Sequence, residues 1–164
     1  MRSIILFRHG DADSSYDHRN DCERPLVERG IKDAKIMGEY LSHKGQLPDL
    51  VISSTALRAI TTIEHAMNAG KWLSKLILEA GIYGGSPIYL LKLLQNQDDN
   101  ILSICLVGHE PNFSNFISQS TDSGYIRFPT ASMAKVTYDI NNWSEVAMGF
   151  GNLDWIVNPQ NIII

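Results

Sequence analysis

The chain has 164 residues, 44% of them hydrophobic, and a net charge of −4, enough for one domain that buries its core without disulfide or metal staples. The mild acidity and the absence of any basic stretch exclude nonspecific nucleic-acid binding and attachment to anionic membranes, and no apolar run is long enough to cross a bilayer. Met1-Arg2-Ser3 runs straight into an apolar segment too short for a signal-peptide core, and the two cysteines, Cys22 and Cys105, lack metal-ligand spacing, so a soluble cytoplasmic protein with reduced thiols is expected.

Apolar runs alternate with helical periodicity along the chain, the pattern of βαβ units. A first strand covers residues 3 to 8 and ends in Arg8-His9-Gly10. A polar loop follows to Glu23, then a helix with Ile31, Ala34, Gly38 and Leu41 on one face, stopped at His43-Lys44-Gly45 by a basic last turn and a glycine. The second strand is Leu50-Val51-Ile52. Ser53-Ser54-Thr55 offers capping hydroxyls to a helix that buries Ala56, Ala59, Ile60, Ile63 and Met67.

A third strand runs from Lys75 to Leu78, and Ser86-Pro87 reads as cap and first position of a helix with Ile88, Leu91 and Leu94 inside. The fourth strand, Ile101 to Val107, is the most continuously apolar and therefore central. A short helix carries Phe113, Phe116 and Ile117. Alternation from Met133 to Tyr138 predicts a further strand, and Asn141-Asn142 a turn into another through Val146, Met148 and Phe150. The expected fold is α/β, a three-layer α/β/α sandwich whose mostly parallel sheet ends in an antiparallel hairpin. No repeat, linker or low-complexity tract divides residues 1–164.

The polar residues at the strand ends converge. Arg8-His9 follows the first strand, Ser53-Ser54 with Arg58 the second, Glu79 the third, and Gly108-His109-Glu110 the fourth. In open α/β sheets ligands bind beyond the carboxyl ends of the strands. Histidines and arginines gathered there are poor packing neighbours unless an anion joins them. A phosphoryl group fits best, because guanidinium forks match its oxygens bidentately; sulfate or carboxylate fits less completely.

On these residues the chain resembles the histidine phosphatase superfamily, and within it the small phosphohistidine phosphatases of the SixA type. The resemblance rests on Leu6-Phe7-Arg8-His9-Gly10-Asp11-Ala12, Arg24-Pro25-Leu26 with Gly30 behind it, the Ser53 to Thr62 stretch, and Val107-Gly108-His109-Glu110-Pro111, and it covers nearly the whole chain. It implies that His9 is a nucleophile attacking phosphorus as neutral imidazole, that Arg8 and Arg58 grip the phosphoryl oxygens with Arg24 as an additional phosphate ligand, and that His109 stabilises charge in the transition state. Arg24 has a simpler alternative, pairing with a surface carboxylate such as Glu28.

In several branches of the superfamily a carboxylate protonates the leaving oxygen; Glu79 and Glu110 are the candidate proton donors. Glu110 could instead serve the positive end of the following helix. A phosphohistidine substrate needs neither, since its imidazole leaving group titrates near 6.5 and takes a proton from solvent. The short segments 11 to 23 and 80 to 86 leave little chain for a lid, favouring a phosphate presented on another protein. His43 and His65 read as helix-surface residues, and His18 as a loop residue within reach of substrate.

The leading expectation is a metal-independent, cofactor-free phosphatase acting on protein phosphohistidine. The alternatives are a phosphatase of small phosphomonoesters, a mutase, or a noncatalytic phosphate-binding module. The last has no use for paired histidines.

Overall fold

The expected alternation takes the order β1 (Arg2–Arg8), α1 (Glu28–His43), β2 (Leu50–Ser53), α2 (Leu57–Gly70), β3 (Lys75–Leu78), α3 (Pro87–Gln95), β4 (Ser103–Gly108), α4 (Asn112–Thr121), β5 (Met133–Tyr138) and β6 (Asn152–Val157) in a computed structural model that describes residues 1–14 and 20–162. The strands form one sheet of order β3-β2-β4-β1-β5-β6, parallel from β3 to β1 and antiparallel at β5 and β6. No described helix is long and apolar enough to cross a membrane.

Successive strand residues face opposite sides of a sheet, and that sorts the core into two. Ile4, Leu6, Ile52, Ile104 and Leu106 pack with Leu90 and Leu94 of α3 and Phe113 and Phe116 of α4. Ile5, Phe7, Val51, Cys105 and Val107 pack with Met37 and Leu41 of α1 and Ala59 and Ile63 of α2. Each of the Val, Leu, Ile, Phe and Met side chains among them contributes roughly 1.5–3 kcal/mol on burial. Covering both faces of the parallel strands makes the three α/β/α layers and explains why those strands read as continuous apolar runs.

Register places the site. Arg8 pairs with Gly108, and Ser53 with Val107. The pairing continues one residue beyond the strands: the His9 N–H donates to the Gly108 carbonyl at 3.1 Å and the Ser54 N–H to that of Val107 at 2.9 Å. Three consecutive sheet neighbours therefore end level, with His9, Ser54 and His109 at their tips.

The sequence expectations are corrected in detail at several points. Helix α2 starts behind Ala56 without a side-chain cap; the Ser53 hydroxyl donates to the Ser54 carbonyl, and Ser54 faces the site. Ile60 and Met67 are only half buried. In α3 the apolar face is Leu90 and Leu94, whereas Ile88 is 50% exposed; the Ser86 cap and the Pro87 start hold. β4 begins at Ser103, two residues later than Ile101.

The last strand is Asn152–Val157 rather than the segment from Val146 to Phe150. The backbone N–H groups of Asn141 and Asn142 donate to the Glu145 carboxylate at 2.9 and 3.0 Å, folding a 3-10 turn that plants the fully buried Trp143 in the core. Val146 is buried behind that turn and Phe150 is 75% exposed, so their spacing of two is a turn and loop spacing, not a strand face.

Candidate active site

His9 leaves β1 with its side chain 7% exposed. Its Nδ1 lies 2.7 Å from the Gly10 carbonyl oxygen. A carbonyl can only accept, so Nδ1 carries the hydrogen and Nε2 keeps its lone pair. The Arg58 Nε–H points at that nitrogen from 3.3 Å. Burial is the largest influence and pushes the His9 pKa down to about 3; the Gly10 hydrogen bond, second in size, pulls it up, and the smaller charges of His109, Arg58 and Arg8 add to the lowering. The ring is neutral at physiological pH.

His109 faces it with ring centroids 5.2 Å apart. Its Nε2 is 2.8 Å from the Ser54 hydroxyl, which can donate to that nitrogen while its oxygen accepts the Ala56 N–H at 3.2 Å. Burial, then Arg58, lowers its pKa to about 4. Its Nδ1 is buried and has no hydrogen-bond partner among the described residues; the same is true of Nε of Arg8, whose Nη1 donates to the Phe128 carbonyl at 3.0 Å. Two buried nitrogens left unmatched in one cleft are costly unless a ligand meets them.

Arg58, 5% exposed, is in the first turn of α2. Its Nη1 donates to the Asp21 backbone carbonyl at 2.8 Å and its Nη2 to the Asp21 carboxylate at 2.9 Å. Arg24 arrives by a backbone fold: Val27 N–H donates to Asp11 O at 3.0 Å and Asp13 N–H to Pro25 O at 2.8 Å, so residues 11–13 and 25–27 run antiparallel. Gly30 is needed there, because a Cβ at position 30 would lie 2.1 Å from the Asp11 carbonyl oxygen. Arg24 Nε then meets Asp21 at 2.8 Å and Nη1 donates to the Asp13 carbonyl at 2.9 Å, so its carboxylate partner is Asp21 and not Glu28.

Arg8, His9, Arg24, Arg58, His109 and Glu110 line one cleft of about 350 Å3. A larger groove of about 450 Å3 between α1 and the chain end, lined by residues such as Tyr40 and Val157, lacks this convergence of cations; chemistry rather than size selects the site. Of the two carboxylates singled out in the sequence, Glu110 lines the cleft but accepts the Ser114 N–H of α4 at 2.6 Å, and Glu79 lies outside the lining, accepting the Tyr89 hydroxyl at 2.6 Å. His43 and His65 are on α1 and α2, outside the lining. His18 lies outside the described residues.

Two site neighbours escape the sequence reading. Asp21 stands three residues before Arg24, an ion-pair spacing visible in hindsight. Tyr83, in the loop after β3, carries no local signal. Its hydroxyl donates to Asp21 at 2.5 Å, its ring meets His109 edge-on at 5.4 Å, and the Arg58 guanidinium lies 5.9 Å from its centre. Thr62, the last residue of the Ser53 to Thr62 stretch, braces the site: its hydroxyl accepts the Gly10 N–H at 2.9 Å and donates to the Arg58 carbonyl at 2.6 Å, tying the turn after His9 to α2.

A neutral nucleophilic nitrogen beside three guanidiniums is equipped to accept a phosphoryl group. Residues 4–81 match the sequence model of the histidine phosphatase superfamily (branch 1). An uncharacterised protein of Mycobacterium tuberculosis is 30% identical over 151 residues, 84% of this chain and 91% of its own. The phosphohistidine phosphatase SixA of Escherichia coli is 26% identical over 167 residues, 97% of this chain and 95% of its own. In fold, the solved structure of a protein histidine phosphatase SixA complexed with tungstate is similar at a TM-score of 0.83, with 23% identity, covering 97% of this chain and 98% of that one.

Proposed function

The chain belongs to branch 1 of the histidine phosphatase superfamily, and on that premise we propose that it hydrolyses phosphohistidine on another protein, without a metal, through a phosphohistidine intermediate on His9. The observation that carries the reading is the state of His9: with Nδ1–H given to the Gly10 carbonyl, a neutral Nε2 lone pair stands among Arg8, Arg24 and Arg58.

In the first step Nε2 of His9 bonds to phosphorus while the bond from phosphorus to the substrate's ring nitrogen breaks, and the departing imidazole takes a proton from water. In the second, water bonds to phosphorus, gives up a proton to solvent, and the electron pair of the His9–phosphorus bond returns to Nε2 as phosphate leaves. Arg8 Nε and His109 Nδ1, buried and without a hydrogen-bond partner among the described residues, are suited to donate to phosphoryl oxygens, His109 in the tautomer whose Nε2 accepts from the Ser54 hydroxyl, with Arg58 and Arg24 supplying further positive charge.

Three features support the phosphohistidine substrate and the metal-free reading. The similarity to SixA runs over nearly the full length of both chains. Glu79 lies outside the cleft lining with one oxygen held by the Tyr89 hydroxyl, and one oxygen of Glu110 is taken by the Ser114 N–H of α4, an arrangement that suits a leaving group needing no dedicated acid better than an alkoxide. Among the described residues no group of three or more His, Cys, Asp or Glu side chains is placed to hold a metal ion. A cytoplasmic signalling relay, where the free thiols Cys22 and Cys105 stay reduced, suits such a protein substrate.

Glu110, lining the cleft beside Arg8, favours one second reading: hydrolysis of small phosphomonoesters with Glu110 as the acid. Rates on a phosphohistidine protein, a sugar phosphate and an aryl phosphate decide between them. A strong preference for the sugar phosphate would sink the leading reading. Activity should survive a chelator, and a loss restored by added divalent ion would overturn the metal-free assignment.

A further inference from the structure

We propose that Asp21 and Tyr83 are positioning residues of the phosphoryl site: the Asp21 carboxylate ties Arg58 to Arg24, and the Tyr83 hydroxyl holds Asp21 where it can do so. The inference rests on the phosphatase reading above and adds two side chains to it. Asp21 collects donors from three separate segments, namely Arg24 Nε at 2.8 Å, Arg58 Nη2 at 2.9 Å and the Tyr83 hydroxyl at 2.5 Å, while its own backbone carbonyl takes Arg58 Nη1 at 2.8 Å.

Two guanidiniums meant for one phosphoryl group repel each other before it arrives, and each is long and rich in rotamers. A carboxylate between them offsets the repulsion and fixes both planes. Arg58 gives Nη1 and Nη2 to Asp21, and this grip leaves its Nε–H aimed at His9 Nε2. The fork therefore has one orientation relative to the nucleophile.

The alternative is that Asp21 occupies the phosphate's own place and must be expelled. Its position argues otherwise. Asp21 is outside the residues lining the cleft, and its side chain is 48% exposed where that of Arg58 is 6% exposed, so it grips the guanidinium from the outer side. It is also pinned. The Tyr83 hydrogen bond foremost, then Arg58 and Arg24, holds its carboxyl well below the usual carboxylate range, so the group stays ionised. Tyr83 is fixed in turn by its edge-on contact with His109 and the Arg58 guanidinium near its ring, joining the loops after β1 and β3 across the cleft.

The test uses Asp21→Asn, Tyr83→Phe and the double variant, with kcat and KM on a phosphohistidine protein, inorganic phosphate affinity by calorimetry, and thermal unfolding to separate local from global effects. Asn keeps the shape and loses the charge; Phe keeps the ring contacts and loses only the hydroxyl. Asp21→Asn should lower kcat by about 10- to 100-fold and weaken phosphate binding, the loss typical when a group that orients an active-site ligand is removed. Tyr83→Phe should move both in the same direction by about 3- to 10-fold at an unchanged unfolding temperature, from loss of one charge-assisted hydrogen bond.

Because Tyr83 acts through Asp21, the double variant should be no worse than Asp21→Asn alone. Losses that multiply would overturn the proposal, as would tighter phosphate binding by Asp21→Asn, which would make the carboxylate a competitor. If Asp21→Asn fails to fold, Tyr83→Phe decides: unchanged kcat and phosphate affinity refute the clamp. Phosphate affinity is read without turnover, so a parent protein that binds phosphate yet leaves phosphohistidine intact would sink the substrate reading while the clamp is still tested.

Discussion

The Nε–H of Arg58 covers Nε2 of His9 from 3.3 Å, so the cation that would bind the phosphoryl group rests on the lone pair that would attack it. At this length the contact is weak and gives way to an entering phosphoryl group. It also ties α2 to the tip of β1 before any ligand arrives.

Replacing His9 with alanine should abolish turnover and leave phosphate binding measurable, because the three arginines remain. Single-turnover assays with calorimetric phosphate titration test this. Hydrolysis at near the parental rate would remove His9 from the nucleophile's role.

For Arg58→Ala, a fall in kcat/KM of about 10^3-fold or more is expected, the scale on which a transition-state arginine acts in phosphoryl transfer. Arg58→Lys should recover little of it, since an ammonium cannot meet Asp21 and His9 from one rigid plane. Steady-state kinetics of the two variants settle the point.

Ser54→Ala removes the hydroxyl at His109 Nε2 and frees that ring. Loss of a buried hydrogen bond costs about 1–3 kcal/mol, equivalent to a drop of about 5- to 150-fold in kcat/KM. An unchanged rate would show that Ser54 does not orient His109.

Burial sets a pH dependence. His9 and His109 titrate near 3 and 4 in the folded chain against 6.5 ordinarily. Between those values the unfolded chain binds more protons, so stability rises with pH: the contribution is complete above 6.5 and is lost as pH falls through the window, by up to ~1.4 kcal/mol per pH unit for each histidine. Urea unfolding from pH 7 to pH 4 should show this slope, and neither ring should titrate by NMR between pH 8 and pH 5.

Gly30→Ala places a methyl carbon where the Asp11 carbonyl already stands, 2.1 Å away. The antiparallel pairing of 11–13 with 25–27 must open, at a cost of about 1–3 kcal/mol, and Arg24 moves with it. A lower unfolding temperature together with weaker phosphate binding is expected; unchanged affinity would separate Arg24 from the site.

Much of this was legible locally. Strands β1 to β5, helices α1 to α4 and the Ser86-Pro87 start follow from periodicity and caps, which depend on near neighbours in the chain. The last strand was not, because a spacing of two at Val146, Met148 and Phe150 also fits a turn anchored by Glu145 under a buried Trp143. Helix α3 turned its face by about one residue because the sheet, not its own pattern, decides which side is covered.

By itself the sequence determined the order of strands and helices, which strand ends carry Arg8, His9, Arg58 and His109, and the family, since these rest on residue type and spacing. Only the tertiary structure decided that Asp21 joins Arg24 to Arg58, that Tyr83 reaches across from the loop after β3, and that Glu79 turns to Tyr89 outside the cleft lining. The physical reason is range. Propensity and periodicity act over a few residues, whereas Arg58 and Tyr83 stand 37 and 62 positions from Asp21, and such partners are chosen only when strand register brings their loops together.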